Sequence, residues 1–393
     1  MSKRSLCFGI IACALFWSNP LSAQESDGLE NRLSAKVFYT ADIFANTTGG
    51  FDTGVRFMDN LDVLVKGEWD FVSLFLYGLA NQGGNLSELT GDLQTVSNIE
   101  APNSFRLYEA WANFPIKPLK SSLLIGLYDL NTEFDITNTG SLFINSSHGI
   151  GAEFASSGRF GPSIFPYTSL AARLKVNLIP GVSLKGAVFD GIPSDPADPS
   201  GTKVRLRSSD GSLMVGEIEL FSPRSIASTG RNVVTNSPFR IILGIWKYSE
   251  ERIGWEVESQ LDAGVYAMVE AKPFKENGED NQGLSVFARY GLTNKQISRY
   301  EGYLGAGIVY EGIFPDRDAD KMGIAFSLPM NSEAYLESTN QDLADELITE
   351  FTYQIVVSSA FKLQMDAQYI KNPNKAPGLD DALVVGLRTI IGF

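Results

Sequence analysis

His148 is the only histidine of this 393-residue chain, and both cysteines, Cys7 and Cys13, lie within its first 23 residues. The rest of the chain therefore has no thiol, no disulfide and no multi-histidine or cysteine metal site. A hydrolase would need a hydroxyl or carboxyl partner at a workable spacing from His148, and no such constellation is apparent. No glycine-rich phosphate loop or EF-hand pattern occurs. The sequence predicts a protein that is not an enzyme and has no cofactor.

One acidic stretch offers oxygen ligands of the type that Ca²⁺ prefers. Asp190, Asp195 and Asp198 stand close together in a proline-rich segment. A solvated loop explains the same residues, and the sequence leaves both interpretations open.

Charged side chains recur at every second position of several apolar stretches. In residues 170–178, Leu174 and Val176 alternate with Arg173 and Lys175. A period of two residues is the signature of a β-strand with one apolar and one polar face. The ionisable groups are therefore expected on strands.

The whole chain predicts about sixteen strands. They are expected near residues 33–45, 55–67, 71–80, 104–114, 122–128, 165–178, 182–190, 212–221, 239–248, 263–272, 284–291, 303–311, 322–328, 347–357, 361–370 and 382–393. Short and long connections alternate through much of the chain, as in membrane barrels with short periplasmic turns and long external loops. The connection formed by residues 222–238 is long where a short turn is expected. It either contains a further strand pair or forms a periplasmic insertion.

Alternation fits a soluble sandwich as well as a barrel, since both have one apolar face per strand. The polar faces favour the barrel, because many successive strands carry ionised residues such as Arg240, Arg289 and Asp366. Aromatic residues near predicted strand ends, among them Tyr39 and Tyr248, suit an interfacial girdle. The predicted fold class is all-β, a transmembrane antiparallel β-barrel with a wet interior.

The N-terminus has the three parts of a secretory signal peptide. Lys3 and Arg4 form a basic head, residues 6–17 are apolar, and small residues precede an expected cleavage after Ala23. A rival interpretation takes residues 10–13 as a lipoprotein box. The apolar run continues past that box, which favours a signal peptide at residues 1–23.

Residues 24–393 contain no linker, low-complexity tract or clear repeat, so one barrel domain is expected. Lys3 and Arg4 are the only charged residues before Gln24, so cleavage lowers the net charge from -14 to -16. An acidic chain lacks the cations that neutralise phosphates, and nucleic acid is excluded as a partner. Acidity does not exclude membrane lipids, because a barrel buries apolar faces in them.

The last strand is the strongest single sign of a membrane barrel. Counting back from Phe393, every second residue to Leu383 can face hydrocarbon, whereas Arg388 and Gly386 lie on the other face. A terminal aromatic residue on such a strand resembles the sorting signal of bacterial outer-membrane barrels. It predicts an outer-membrane location and recognition of Phe393 by the barrel-insertion machinery.

The inward faces supply candidate residues for the lumen. Arg173, Lys175 and Lys185 are expected on neighbouring strands, Asp42, Asp62 and Lys66 near the start of the barrel, and Arg106 on the face of Tyr108, opposite Leu107 and Trp111. We hypothesise that mixed charges set up a transverse field that favours dipolar neutral solutes. The alternative is that these side chains only keep the wall hydrated. By alternation Glu109 lies on the same face as Leu107, and the sequence does not explain why a charged side chain would point that way.

Six runs occur in an order that is more specific than any of these patterns. They are GDLQTVSNIEA (91–101), RLYEAW (106–111), GLYDLNTEFD (126–135), LFINSSHGIG (142–151), GPSIFPYTSL (161–170) and FDGIPSDP (189–196). This succession resembles the carbohydrate-selective porin family, the OprB type, of bacterial outer membranes.

The resemblance implies a sixteen-stranded barrel through which glucose and related neutral sugars diffuse passively. It also implies that the third external loop folds inward as a constriction, which would place Asn145, Ser146 and His148 there with Phe143 and Ser147. Alternatively, these residues only shape the loop. Two other functions stay open: a general porin or one for other solutes, and a barrel with a structural or adhesin-like role.

Overall fold

A computed structural model describes residues 32–117, 120–193, 198, 200–204, 206–222, 239–255, 258–276 and 282–393. Sixteen antiparallel strands form one closed barrel in which each strand pairs with its sequence neighbours and β1 pairs with β16. The strands are β1 (Leu33–Thr48), β2 (Gly54–Trp69), β3 (Val72–Gly83), β4 (Ser104–Ile116), β5 (Ser121–Tyr128), β6 (Ser169–Ile179), β7 (Val182–Asp190), β8 (Ser212–Phe221), β9 (Phe239–Ile253), β10 (Ser259–Lys275), β11 (Gly283–Thr293), β12 (Tyr300–Glu311), β13 (Lys321–Asn331), β14 (Leu347–Ser358), β15 (Phe361–Lys371) and β16 (Ala382–Gly392).

The predicted alternation is the reason these segments form a barrel wall. On β6, Leu174 is 47% exposed on the outer surface, whereas its neighbour Arg173 is 4% exposed inside. A slip of one residue would exchange the two faces, so the pattern determines which way each strand faces. Phe393 continues the closing seam, since its N–H donates to the carbonyl of Val37 at 2.9 Å and its carbonyl accepts from Val37 at 3.1 Å.

The connections divide the barrel into a loop end and a turn end. Loops 2 (residues 84–103), 3 (129–168), 4 (191–211), 7 (332–346) and 8 (372–381) leave one end, which we call the loop end. The described residues of these loops form three short α-helices: α1 (Ser87–Thr90), α2 (Ala152–Ala155) and α3 (Glu333–Thr339). Among the described residues, no helix is long and apolar enough to cross a bilayer.

Two sequence expectations need correction. The sixth strand begins at Ser169 and not at residue 165; the preceding segment contains Pro166, which cannot donate to a strand ladder. β8 pairs directly with β9, and residues 223–238 between them lie outside the described residues. Tyr248 is 5% exposed inside the barrel, so it is not part of a girdle.

The hydrophobic core lies inside the barrel, between the wall and loops 2 and 3. The ring of Phe154 from loop 3 stacks on Trp246 of β9 with ring centroids 4.8 Å apart and an interplanar angle of 2°. A second cluster joins Leu86 and Val96 of loop 2 to Phe44 of β1. The two inserted loops therefore pack as part of the fold and narrow the lumen.

Candidate functional site

Loop 3 is attached to the far wall by a buried guanidinium. Arg289 of β11 donates to Asp135 twice at 2.6 Å, and to Glu153 at 2.8 Å and 3.1 Å. Both carboxylates belong to loop 3, and all three side chains are almost fully buried. The rings of Tyr266 and Tyr303 lie 5.3 Å and 5.1 Å from the guanidinium carbon. Bidentate charge-assisted bonds of this type are strong and directional, so Arg289 determines where the loop lies.

Two predicted lumen cations attach the start of the same loop. Arg173 forms an ion pair with Glu133 at 2.7 Å and donates to the hydroxyl of Ser122 at 2.7 Å. Lys185 pairs with Glu217 and donates to the backbone carbonyl of Glu133. Both cations face inward on adjacent strands, as predicted, but their charges are neutralised by these contacts.

The middle of loop 3 is held on the wall opposite Arg173. Glu350 of β14 accepts the backbone N–H groups of Ile144 and Asn145 at 2.6 Å and 3.0 Å. The amide of Asn145 donates to Gln368 of β15 at 3.1 Å. Asn145 therefore lies in the predicted loop but faces the wall and is fully buried.

His148 lies in the predicted loop but is packed in a ring cluster. Its ring is 5.0 Å from Phe143 and 6.0 Å from Phe287, and neither ring nitrogen has a hydrogen-bond partner. Burial lowers the pKa of His148 to about 3, which leaves the ring neutral at physiological pH. Its surroundings are those of a core residue.

Loop 2 is attached where the barrel closes. Arg388 of β16 donates to both carboxylate oxygens of Asp42 at 2.8 Å, and the hydroxyl of Ser97 in loop 2 donates to Asp42 at 2.7 Å. Asp42 is fully buried, so it holds the loop and does not face water.

Loop 2 has a second attachment at Glu346 of loop 7. This carboxylate accepts the backbone N–H of Leu93 at 3.1 Å and that of Asn374 at 2.9 Å. Burial, together with repulsion from Asp92, raises the pKa of Glu346 to about 7. The carboxyl therefore changes its charge near neutral pH.

Above loop 3, a cavity of about 690 Å³ opens toward the loop end of the barrel. We call it the loop-end cavity. Apolar faces in its lining come from Tyr77, Tyr108 and Phe165, and amide or carboxylate groups from Asn60 and Asp129. The rings of Tyr77 and Tyr108 meet edge to face, 4.9 Å apart. Ring faces beside polar groups suit a solute that is apolar on one face and carries hydroxyls at its edge.

A β-bulge in β4 decides which residues of that strand face inward. Tyr77 pairs with Glu109 and Gly78 pairs with Leu107, so Tyr108 has no partner in the ladder. The extra residue reverses the facing of the strand, which turns Glu109 and Trp111 into the lumen. Trp111 stacks on Phe75 at 5.0 Å and donates to Glu109 at 2.7 Å. The prediction that Trp111 faces outward was therefore wrong, because a bulge leaves no mark in the alternation.

Four predicted residues remain partly open to the interior. Asp62 is half-buried and accepts from Tyr77 at 2.6 Å; Lys66 pairs with Glu68 at 2.6 Å. Lys175 is half-buried and forms no ion pair in the described part of the chain. Ser146 lines the loop-end cavity.

Arg106 and the acidic segment lie near the rim of the loop end. Arg106 donates to Ser104 at 3.1 Å and stacks at 4.8 Å on Tyr167. Asp190 pairs with Lys203 at 3.0 Å, and Asp195 lies outside the described residues. No cluster suited to a metal ion occurs among the residues described.

Comparison with known proteins relates this geometry to a family. The carbohydrate-selective porin, OprB family, matches residues 68–393. Porin B of Pseudomonas aeruginosa is 22% identical, with 92% of this chain and 87% of that protein covered.

Two solved structures of Pseudomonas putida OprB share the fold. The high-pH structure gives a TM-score of 0.79 at 18% identity, covering 92% of this chain and 94% of that one. The low-pH structure gives 0.58 at 17% identity, covering 92% and 93%. The chain belongs to the OprB family of carbohydrate-selective porins, and it is a sugar channel of the bacterial outer membrane.

Proposed function

We propose that this porin passes glucose and related neutral monosaccharides by passive diffusion, and that they enter through the loop-end cavity. The observation that carries the proposal is the pairing of aromatic faces, Tyr77 and Tyr108, with polar groups in that cavity. Its volume of about 690 Å³ suits a small polar solute, since small-molecule sites measure about 300–1,000 Å³.

The proposed route continues along strand β2. Asn60 lines the cavity, and Asp62 and Lys66 follow on the same inward face toward the turn end. Their hydrogen bonds can be exchanged for bonds to sugar hydroxyls. Such contacts must stay weak, because a solute that is bound tightly does not leave.

A neutral solute fits the charge pattern around loops 2 and 3. Most inward charges there are neutralised in pairs, as in Asp42 with Arg388 and Arg173 with Glu133. The transverse field of our hypothesis would then come mainly from Asp62 and Lys175, two inward charges that form no ion pair with the described residues.

Sugar block of single-channel current and liposome swelling test the proposal. We expect glucose to reduce the ion current, and monosaccharides to swell liposomes faster than disaccharides. Asp62→Asn should change the glucose concentration for half-block about two- to tenfold, the worth of one net hydrogen bond. Asp59→Asn is the matched control, because Asp59 lies on the outer face of β2 and bonds to Tyr39 at 3.0 Å. Equal swelling by disaccharides would favour a general porin, and no sugar dependence at high concentration would contradict sugar recognition.

We further infer that the protein acts only as a channel. His148 has no hydroxyl or carboxyl group in hydrogen-bond contact, and the nearest carboxylate oxygen, on Glu350, is 3.7 Å away. A search for hydrolysis of sugar or lipid esters by the purified barrel is expected to find none, and activity abolished by His148→Phe would contradict this inference.

Export and assembly remain proposals as well. Residues 1–23 lie outside the described residues, and we propose that they are removed, leaving 24–393 as the barrel domain surrounded by outer-membrane lipids; N-terminal sequencing tests the cleavage. We also propose that the insertion machinery recognises Phe393, whose side chain is 81% exposed. Phe393→Ser should lower the amount of folded barrel in membranes, and unchanged assembly would refute that role.

A further inference from the structure

A second cavity, of about 490 Å³, lies on the other side of loop 3, and we call it the turn-end cavity. Its roof is the loop 3 segment with Asn138, Thr139 and Ser141, and its walls are the inward faces of strands β9 to β16 near the turn end. In the outer membrane this end of the barrel faces the periplasm.

The lining of this cavity is basic. Among the described residues, the lining contains five cationic side chains and two carboxylates: Arg240, Lys272, Lys275, Lys321 and Lys362 against Glu270 and Glu311.

Some of this positive charge is compensated and some is not. Arg240 is held by Glu219 and Glu270 at 2.5 Å and 2.9 Å. Lys321 reaches Glu311 only at 3.7 Å. Within the described ranges, Lys275 and Lys362 form no ion pair. The cavity therefore has positive charge available to a ligand.

The excess positive charge of the turn-end cavity is opposite in sign to the net charge of the whole chain and to the net charge of the loop-end cavity. The chain carries a net charge of -14, and the described residues that line the loop-end cavity include three carboxylates, Glu100, Glu109 and Asp129, and one cation, Arg299. A neutral sugar gains little from a cluster of lysines. An oxyanion gains an attraction that a cavity with low-dielectric walls focuses.

We propose that the turn-end cavity is a weak binding site for oxyanions, the carboxylate or phosphate group of an acidic sugar as well as free inorganic phosphate. Lys275, Lys321 and Lys362 are the groups that hold the anion. This site lies beyond the constriction and is distinct from the proposed path for neutral sugars at Asp62.

Single-channel current recorded in planar bilayers tests the proposal, with inorganic phosphate as the probe. Phosphate in the compartment that faces the turn end should block the chloride current at a lower concentration than phosphate on the other side. Ala319→Cys lies in the exposed turn between β12 and β13; because the processed chain lacks cysteine, an impermeant thiol reagent then reports which compartment faces that end.

The variant Lys275→Gln/Lys321→Gln/Lys362→Gln should raise the half-blocking phosphate concentration by about tenfold, since exposed ion pairs contribute roughly 1.5- to 5-fold each. Lys371→Gln is the matched control, because Lys371 lies exposed at the loop end of β15, the strand that carries Lys362. Glucose block of the same channels should be unchanged, which also confirms that the variant folds. If phosphate blocks the variant and the parent at the same concentration, the oxyanion site is overturned. If glucose does not block the parent channel, only the proposed sugar path is overturned.

Discussion

Removing the guanidinium of Arg289 should release loop 3 and widen the channel. In Arg289→Met, Asp135 and Glu153 lose four hydrogen bonds of 2.6–3.1 Å and stay buried. Breaking a buried ion pair from one side costs about 3–5 kcal/mol, because the remaining charge is uncompensated. That cost corresponds to about two to four orders of magnitude in the ratio of docked to undocked loop.

Single-channel conductance and liposome swelling measure the release. We expect a larger and noisier current in Arg289→Met, and faster entry of disaccharides. Adding Asp135→Asn and Glu153→Gln should restore part of the parent behaviour, since the buried groups are then uncharged. Arg317→Met is the control, because Arg317 is 39% exposed in a turn and its partner Asp320 keeps hydrogen bonds from Tyr353 and the backbone N–H of Val356. Parent-like conductance and size selectivity in Arg289→Met would refute the role of this ion pair.

Three further predictions test single features. Because the bulge turns residue 111 inward, a water-soluble thiol reagent should label Trp111→Cys and reduce the conductance. The same reagent should leave Ala110→Cys unlabelled, and the reverse pattern would exclude the bulge. His148→Phe should leave the change in conductance between pH 5 and 8 as it is in the parent, because a pKa of about 3 keeps the ring neutral throughout; a lost pH response would show that His148 titrates. Folding raises the pKa of Glu346 from 4.5 to about 7, so its contribution to stability is complete below pH 4.5 and is lost as pH rises through about 7. In the parent, the free energy of unfolding should therefore fall by up to about 3 kcal/mol between pH 5 and 8. Thermal unfolding of Glu346→Gln should show a smaller fall, and an unchanged slope would contradict the prediction.

Much of the wall follows from local pattern. Leu174 and Arg173 had their faces assigned correctly from alternation, since the side-chain period of a strand is a property of neighbouring residues. The closing strand was predicted in the same way, and Phe393 pairs with Val37 at its end. The number of strands and the inward facing of Lys175 and Lys185 also agree with the sequence analysis.

Tertiary structure decided which inward groups face water. Asp42 and Asn145 look like any lumen residue in the sequence, yet loop 2 covers Asp42, and Asn145 of loop 3 is buried against strand β15 far along the chain. The facing of Trp111 depended on one bulged residue, which changes the pairing without changing the composition. Which cations remain uncompensated was decided in the same way, because an ion pair such as Arg289 with Asp135 joins residues 154 positions apart. Local periodicity determines how a strand faces, whereas closure of the barrel brings distant charges together and determines which of them a solute can meet.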